Sequence, residues 1–261
     1  MNVKYTVSTL FAVSALMSSL QANADALPTF TPEQQAQIGK IAADYLVAHP
    51  EVLVQVSQKL QEQQQEQQQQ ALLTNVLANQ QALLADKNTP AVGPQDAKVA
   101  VIEFFDYQCV YCSHLAPELE AAMKQSPQVK YLFKDWPIFA DRWENSLKAA
   151  ERGLAVWQQK GAKAYITYHN AIYHTGHFEG ALTDNDIVAA TKAAGAAADI
   201  QAKDPQGIFS ANNALAQKIG LTGTPGLIIM PAKGANAENT TVLPGAVSAE
   251  EISAAIARAS K

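Results

Sequence analysis

The sequence predicts a mixed α/β fold preceded by an all-α N-terminal extension. Short apolar runs rich in β-branched and aromatic residues, at 97–107, 128–139 and 226–230, read as buried strands. Ala-rich helical sequence fills about 141 to 220, between the second of these runs and the third. Residues 31–86 contain no glycine after Gly39 and are crowded with Gln, Leu, Ala and Val. Strand–helix–strand, an inserted helical block, then hairpin–helix is a split α/β layout.

The elements follow in order. Lys4, the uncharged and mostly apolar run 6–20, and the small-x-small pattern "ANA" at 22–24 have the form of an export leader. The run is interrupted by Ser and Thr and is short for a membrane span of roughly 20 residues. Residues 1–24 are therefore expected to be a signal peptide, and no cysteine lies near 24 to carry a lipid anchor. Thr31, Pro32 and Glu33 form an N-cap and first turn, with Ile38, Ile41, Tyr45 and Leu46 following at helical spacing. Pro50 breaks that helix at His49 and opens a second, expected to run from about 51 to 86. Its apolar patches, Val52, Leu53, Val56 and Leu60, then Leu72, Leu73, Val76, Leu77, Leu83 and Leu84, flank "QEQQQEQQQQ" at 61–70. So polar a helix needs a partner for those patches. Residues 25–90 are expected to be an oligomerisation extension with the Gln tract as spacer; a solvated linker is the alternative.

The turn-rich loop 86–96 sets the expected start of the second domain, 91–261. In it a strand at 97–107 leads into a helix from near Cys109 to about Gln125, and a strand follows at 128–139. After the helical block, 226–230 and 240–245 read as a strand pair, and Ser248 with Glu251 makes a capping box for a terminal helix.

Composition is ordinary, with 16% charged residues and a formal net charge of −5. That acidic balance, without a Lys/Arg run, gives no electrostatic footprint for nucleic acid. The chain has two cysteines, Cys109 and Cys112. A disulfide between them encloses two residues and constrains the unfolded chain very little, so it is a poor staple. A tetrahedral zinc site wants four ligands, and neither a second CxxC nor a suitably placed histidine completes one. The haem pattern C-x-x-C-H fails because Ser113 occupies the histidine position. At the start of a helix, however, the Cys109 sulfur meets unpaired N–H groups and the positive end of the helix dipole, which favour the thiolate. Cys112, one turn on, returns to the same face and can attack whatever Cys109 has bonded. His169, His174 and His177 lie near one another, but i,i+5 spacing does not share a helix face, and they are set aside as functional residues.

"IEFFDYQCVYCSHLAPEL", the later "GTP" at 223–225 and "LPGAVSAEEI" together resemble the DsbA-like thioredoxin-fold oxidoreductases. "ADYLVAHPEVLVQVSQKLQEQQ" is similar to the helical extension of the ScsC-like branch, whose members form dimers or trimers. The resemblance implies a thioredoxin fold, with Cys109 as exposed nucleophile, Cys112 as resolving cysteine, and the two as a redox-active disulfide. It also implies a cis-proline at Pro225 after Thr224, their backbone holding an extended substrate peptide, and Glu103 as a buried carboxylate exchanging a proton with Cys112. Lys134 in the neighbouring strand is a candidate partner for Glu103. Val110 and Tyr111 replace the Pro-His of the oxidase DsbA, and Thr224 matches the dimeric isomerase branch better. The expected activity is periplasmic thiol-disulfide exchange with exported proteins, mixed isomerase and oxidase, without cofactor or metal. The expected partners are a second copy, with a dimer favoured over a trimer, and a membrane redox protein of DsbB or DsbD type. The alternative is a copper-binding or copper-tolerance thiol protein of the ScsC type, since two thiolates suit Cu(I).

Overall fold

The computed structural model describes residues 30–261, so the leader expected over residues 1–24 lies outside the described residues. The chain divides into a unit ending at Leu60 and a unit spanning Gln61–Lys261.

In the first unit, helix α1 (Pro32–Ala48) begins with the expected cap. Thr31 Oγ1 accepts the Gln34 N–H at 3.3 Å, and Gln34 Oε1 accepts the Thr31 N–H at 2.9 Å. Two orphan donors are satisfied reciprocally. The helix stops at His49, before Pro50, and α2 (Glu51–Ala78) starts directly after it. No α1 residue is buried, and Ile38, Ile41, Tyr45, Leu53, Val56 and Leu60 are all exposed.

The helix expected over 51–86 is two pieces, α2, which runs on into the second unit, and the short α3 (Gln80–Leu84). Asn79 parts them, its Nδ2 donating to the Asn75 carbonyl at 2.8 Å. Asn side chains compete with the backbone for such carbonyls, which is why a helical pattern can break there. Val76 and Leu83, either side of the break, are fully buried.

The sheet comprises β1 (Ala91–Val92), β2 (Val99–Phe105), β3 (Lys130–Asp135), β4 (Gly226–Pro231) and β5 (Thr241–Pro244), in the order β1-β3-β2-β4-β5. β2 pairs parallel with β3 and antiparallel with β4. Helix α4 (Val110–Gln125) makes the β2-to-β3 crossover. Helices α5 (Glu144–Lys160), α6 (Ala162–His174), α7 (Asp184–Ala193) and α8 (Pro205–Ile219) form the insertion before β4. Helix α9 (Ala249–Ala259) closes the fold with the expected Ser248/Glu251 box. Strand β1 was not legible: its two residues sit in a loop of turn formers, and pairing with β3 creates it.

Every β2 side chain is buried, because both sheet faces are covered. Val99, Val101 and Phe105 join a core with Leu115 and Leu119 of α4 and Ile252 of α9. Ala100, Ile102 and Phe104 face a second core with Val76, Leu83 and Ile219. This two-residue alternation decides which face carries each polar residue.

Candidate active site

The site begins in the turn joining β2 to α4. Asp106 organises it: Oδ1 accepts the Gln108 N–H at 2.8 Å, while Oδ2 accepts the Phe139 N–H at 2.9 Å and the Ser146 hydroxyl at 2.8 Å. The Asp106 carbonyl takes the Tyr173 hydroxyl at 3.1 Å and the Cys109 N–H at 3.1 Å. Thus anchored, Cys109 is left with extended backbone as the N-cap of α4, and its Sγ accepts the Cys112 N–H at 3.4 Å. The Cys109 thiol also donates to the Thr224 carbonyl at 3.3 Å. That contact turns the sulfur inward. Cys109, expected to be exposed, is only 3% exposed.

The two thiols are unequal. Hydrogen bonding from the Cys112 thiol, with help from the N–H groups of Cys112 and Tyr111, outweighs burial and brings Cys109 down to about 6. Cys112 is fully buried, and that burial, reinforced by the negative charges of Cys109 and Glu103, pushes it well above the ordinary thiol range. One sulfur is held ready as thiolate and the other as thiol.

Glu103 reaches the same face of the sheet from β2. It is 1% exposed, and neither carboxyl oxygen has a hydrogen-bond partner. Burial, then the charge of Cys109, pushes it up to about 8. Lys134 does not pair with it. Register places Glu103 opposite Phe133 and Phe104 opposite Lys134, so Lys134 points to the other face. There its Nζ meets Thr89 at 2.7 Å, Asp86 at 3.1 Å and Asn212 at 3.5 Å.

The Thr224–Pro225 peptide bond is cis. Pro225 is buried, and its carbonyl accepts the Gly245 N–H at 2.8 Å, tying the loop to the end of β5. Beside this loop opens a cavity of about 710 Å³, lined among others by Gln65, Gln68, Leu72, Asn75, Thr224 and Pro225. Part of the Gln tract thus forms a wall next to the cis-proline. Among the described residues no group of three or more His, Cys, Asp or Glu is arranged to hold a metal ion.

A family model described as thioredoxin matches residues 85–256. The chain belongs to the thioredoxin family. A second model, the N-terminal domain of the copper resistance protein ScsC, matches residues 34–67 of this thioredoxin-family chain. The crystal structure of Salmonella enterica Typhimurium BcfH is 36% identical, with a TM-score of 0.74 over 88% of this chain and 97% of that one. Proteus mirabilis ScsC in a transitional conformation is 27% identical, with a TM-score of 0.58 over 87% of this chain and 95% of that one. A thioredoxin-like oxidoreductase from Silicibacter pomeroyi DSS-3 is 28% identical, with a TM-score of 0.56 over 69% of this chain and 96% of that one. No curated protein matches the chain.

One residue set aside in the sequence stands inside this thioredoxin-family site. His169 of α6 is 2% exposed, and its Nε2 lies 4.0 Å from Glu103 Oε2. Its distance from the cysteines along the chain hides it. The available signal was local: Tyr165, Tyr168, Ile172 and Tyr173 surround it at helical spacing, marking an apolar face that includes the histidine.

Proposed function

We propose that this protein is a periplasmic thiol-disulfide oxidoreductase acting on exported polypeptides, with mixed isomerase and oxidase activity, as a homo-oligomer. The observation that carries the reading is the capped sulfur of Cys109, set against the Thr224 carbonyl and one turn before buried Cys112. In the oxidase direction a substrate thiolate attacks Cys109 Sγ of the Cys109–Cys112 disulfide. The S–S bond breaks, its electron pair goes to Cys112 Sγ, and Glu103 protonates that sulfur. A second substrate thiolate then attacks the substrate sulfur of the mixed disulfide and expels Cys109 as thiolate. Two electrons have entered the pair, and a membrane partner of DsbB type removes them. In the isomerase direction Cys109 thiolate attacks a substrate disulfide and is later expelled by another substrate thiolate, without net redox change; a partner of DsbD type keeps the pair reduced.

The backbone at Thr224 and Pro225 would hold the substrate as an added strand, and the adjoining cavity gives room for its flanking residues. Exposed apolar positions on α1 and early α2 support assembly of copies through the N-terminal helices. A copper-binding role would use the same two sulfurs. It ranks second because Cu(I) takes thiolates, whereas burial holds Cys112 as a thiol.

Reactivation of scrambled, fully oxidised ribonuclease in a glutathione buffer tests the proposal, beside the same assay started from reduced ribonuclease. The chain should rescue both forms, and Cys109→Ser neither. A chain lacking residues 30–60 should keep oxidase activity and lose most of the shuffling. Rescue by Cys109→Ser would sink the mechanism.

A further inference from the structure

Glu103 and His169 present unpartnered polar atoms to each other inside the first core. Among the described residues neither Glu103 oxygen nor His169 Nε2 has a hydrogen bond, and Nε2 and Oε2 are 4.0 Å apart. The other ring nitrogen, Nδ1, lies 3.3 Å from Asn170 Oδ1, an acceptor. The ring proton therefore belongs on Nδ1, and Nε2 offers a lone pair toward the carboxyl. Rings of Phe105, Tyr107, Phe133, Tyr165 and Tyr173 stand 5.0 to 6.0 Å from the imidazole and wall the pair from water. In such a place an isolated carboxylate is strongly disfavoured, whereas a carboxylic acid pointing its O–H at an imidazole lone pair keeps both groups neutral.

We infer that His169 is the positioning residue that holds Glu103 as an acid and takes up the replacement proton at Nε2 after Glu103 has protonated Cys112. The inference rests on the exchange reading above. When the Cys109–Cys112 bond opens, the Glu103 O–H bond breaks, a Cys112 S–H bond forms, and the negative charge passes from sulfur to carboxylate. A proton from solvent then arrives at His169 Nε2, making an imidazolium opposite the carboxylate. Transfer of that proton to Glu103 restores the neutral couple. The electron pair of the opened S–S bond stays on Cys112 Sγ, the later transfers move protons alone, and the reverse sequence serves the opposite direction.

The surroundings suit this cycle. From β3, Asp135 lies near Glu103, and burial, then the charge of Glu103, pushes it well above the carboxylate range. From α4 the charges facing the pair are Cys109, which acts on Glu103, and Glu120. Burial brings His169 down to about 4, against the smaller opposing effects of Asn170 and Glu120, so the imidazole rests neutral and its imidazolium is a transient formed opposite the newly ionised Glu103. Tyr107 of the turn and Tyr165 and Tyr173 of α6 remain neutral, since burial pushes all three well above the tyrosine range. Asp106, also raised by burial, is engaged with Gln108, Phe139 and Ser146. Glu120 is paired at 3.9 Å with the exposed His174, which places the solvent side of the route between α4 and α6.

Single-turnover oxidation of a cysteine-containing peptide by the disulfide form of the full chain tests this from pH 5 to 9. His169→Phe and Glu103→Gln should each slow the reaction by about tenfold or more, within the range of a lost general acid. Both should flatten the inflection near pH 8. The double variant should be no slower than the worse single one, because the two residues act as a unit. Multiplied losses, or a wild-type rate and pH profile in His169→Phe, would overturn the inference. His169→Gln, polar but unable to carry a proton, gives the same comparison if the phenylalanine variant does not fold. Imidazole nitrogen NMR needs no activity. Nδ1 should be protonated at pH 7, and the Nε2 resonance should move in Glu103→Gln; a bare Nδ1 overturns the assignment. If wild-type protein forms no mixed disulfide while the NMR result holds, the exchange reading fails and the Glu103–His169 couple stands.

Discussion

Cys109 is the helix cap and, while protonated, the donor to the Thr224 carbonyl of the cis-proline loop; in the proposed exchange its thiolate is the nucleophile. Its lowered pKa of about 6 makes it a thiolate through most of the neutral range. Alkylation of the reduced protein by iodoacetamide, followed by mass spectrometry, should modify Cys109 alone, with a rate that halves near pH 6 and falls below it. An inflection near the ordinary thiol value would remove the helix-cap argument. The sign for stability follows from a folded pKa below the unfolded one. This thiolate's contribution is complete above the ordinary value of 9.0 and is lost as pH falls through about 6. Glu103 has the opposite sign: its raised value subtracts stability progressively between 4.5 and about 8. The cysteines were readable because their spacing is itself the signal. His169 was not, because what gives it meaning is a long-range packing partner.

At the scale of elements, strong local rules gave strong agreement. Thr31 with Gln34 and Ser248 with Glu251 cap helices where the sequence places them, and Pro50 ends α1. Expectation and structure part where tertiary contacts decide. Asn79 divides the long helix, β1 exists only through β3, and Lys134 is aimed away from Glu103 by register. The C-terminal part of α2 with α3 is core, since Val76 and Leu83 are fully buried against β2 and α8 residues. Leu83→Ala should therefore destabilise the second unit by about 2–5 kcal/mol in urea unfolding. A change under about 0.5 kcal/mol would mean that α3 is a dispensable appendage.

At the scale of the molecule, α4, the insertion and the terminal helix build one core over the candidate-site face of the sheet, and the end of α8 with the α2–α3 segment builds the other. Each polar group of the site therefore acts in a nearly dry interior, where pKa values move by several units. The α/β class and the split layout were legible because strand and helix periods differ. The covering of the second face by residues from the Gln-rich helix was not, because amphipathic patches name no partner.

The sulfur cap on α4 ties folding to electron transfer. A disulfide sulfur is a poorer acceptor than a thiolate, so oxidation of the pair weakens the bond from the Cys112 N–H and uncaps the helix, a loss of about 1 kcal/mol on the scale of ordinary caps. Around the closed cycle of unfolding and oxidation, whatever stability the reduced form gains over the oxidised form reappears as oxidising power, about 30 mV for each 1.4 kcal/mol. Calorimetry should accordingly find the dithiol protein melting above its own disulfide form at neutral pH. The reverse order would make the bond a net brace for the fold and the protein a weak oxidant.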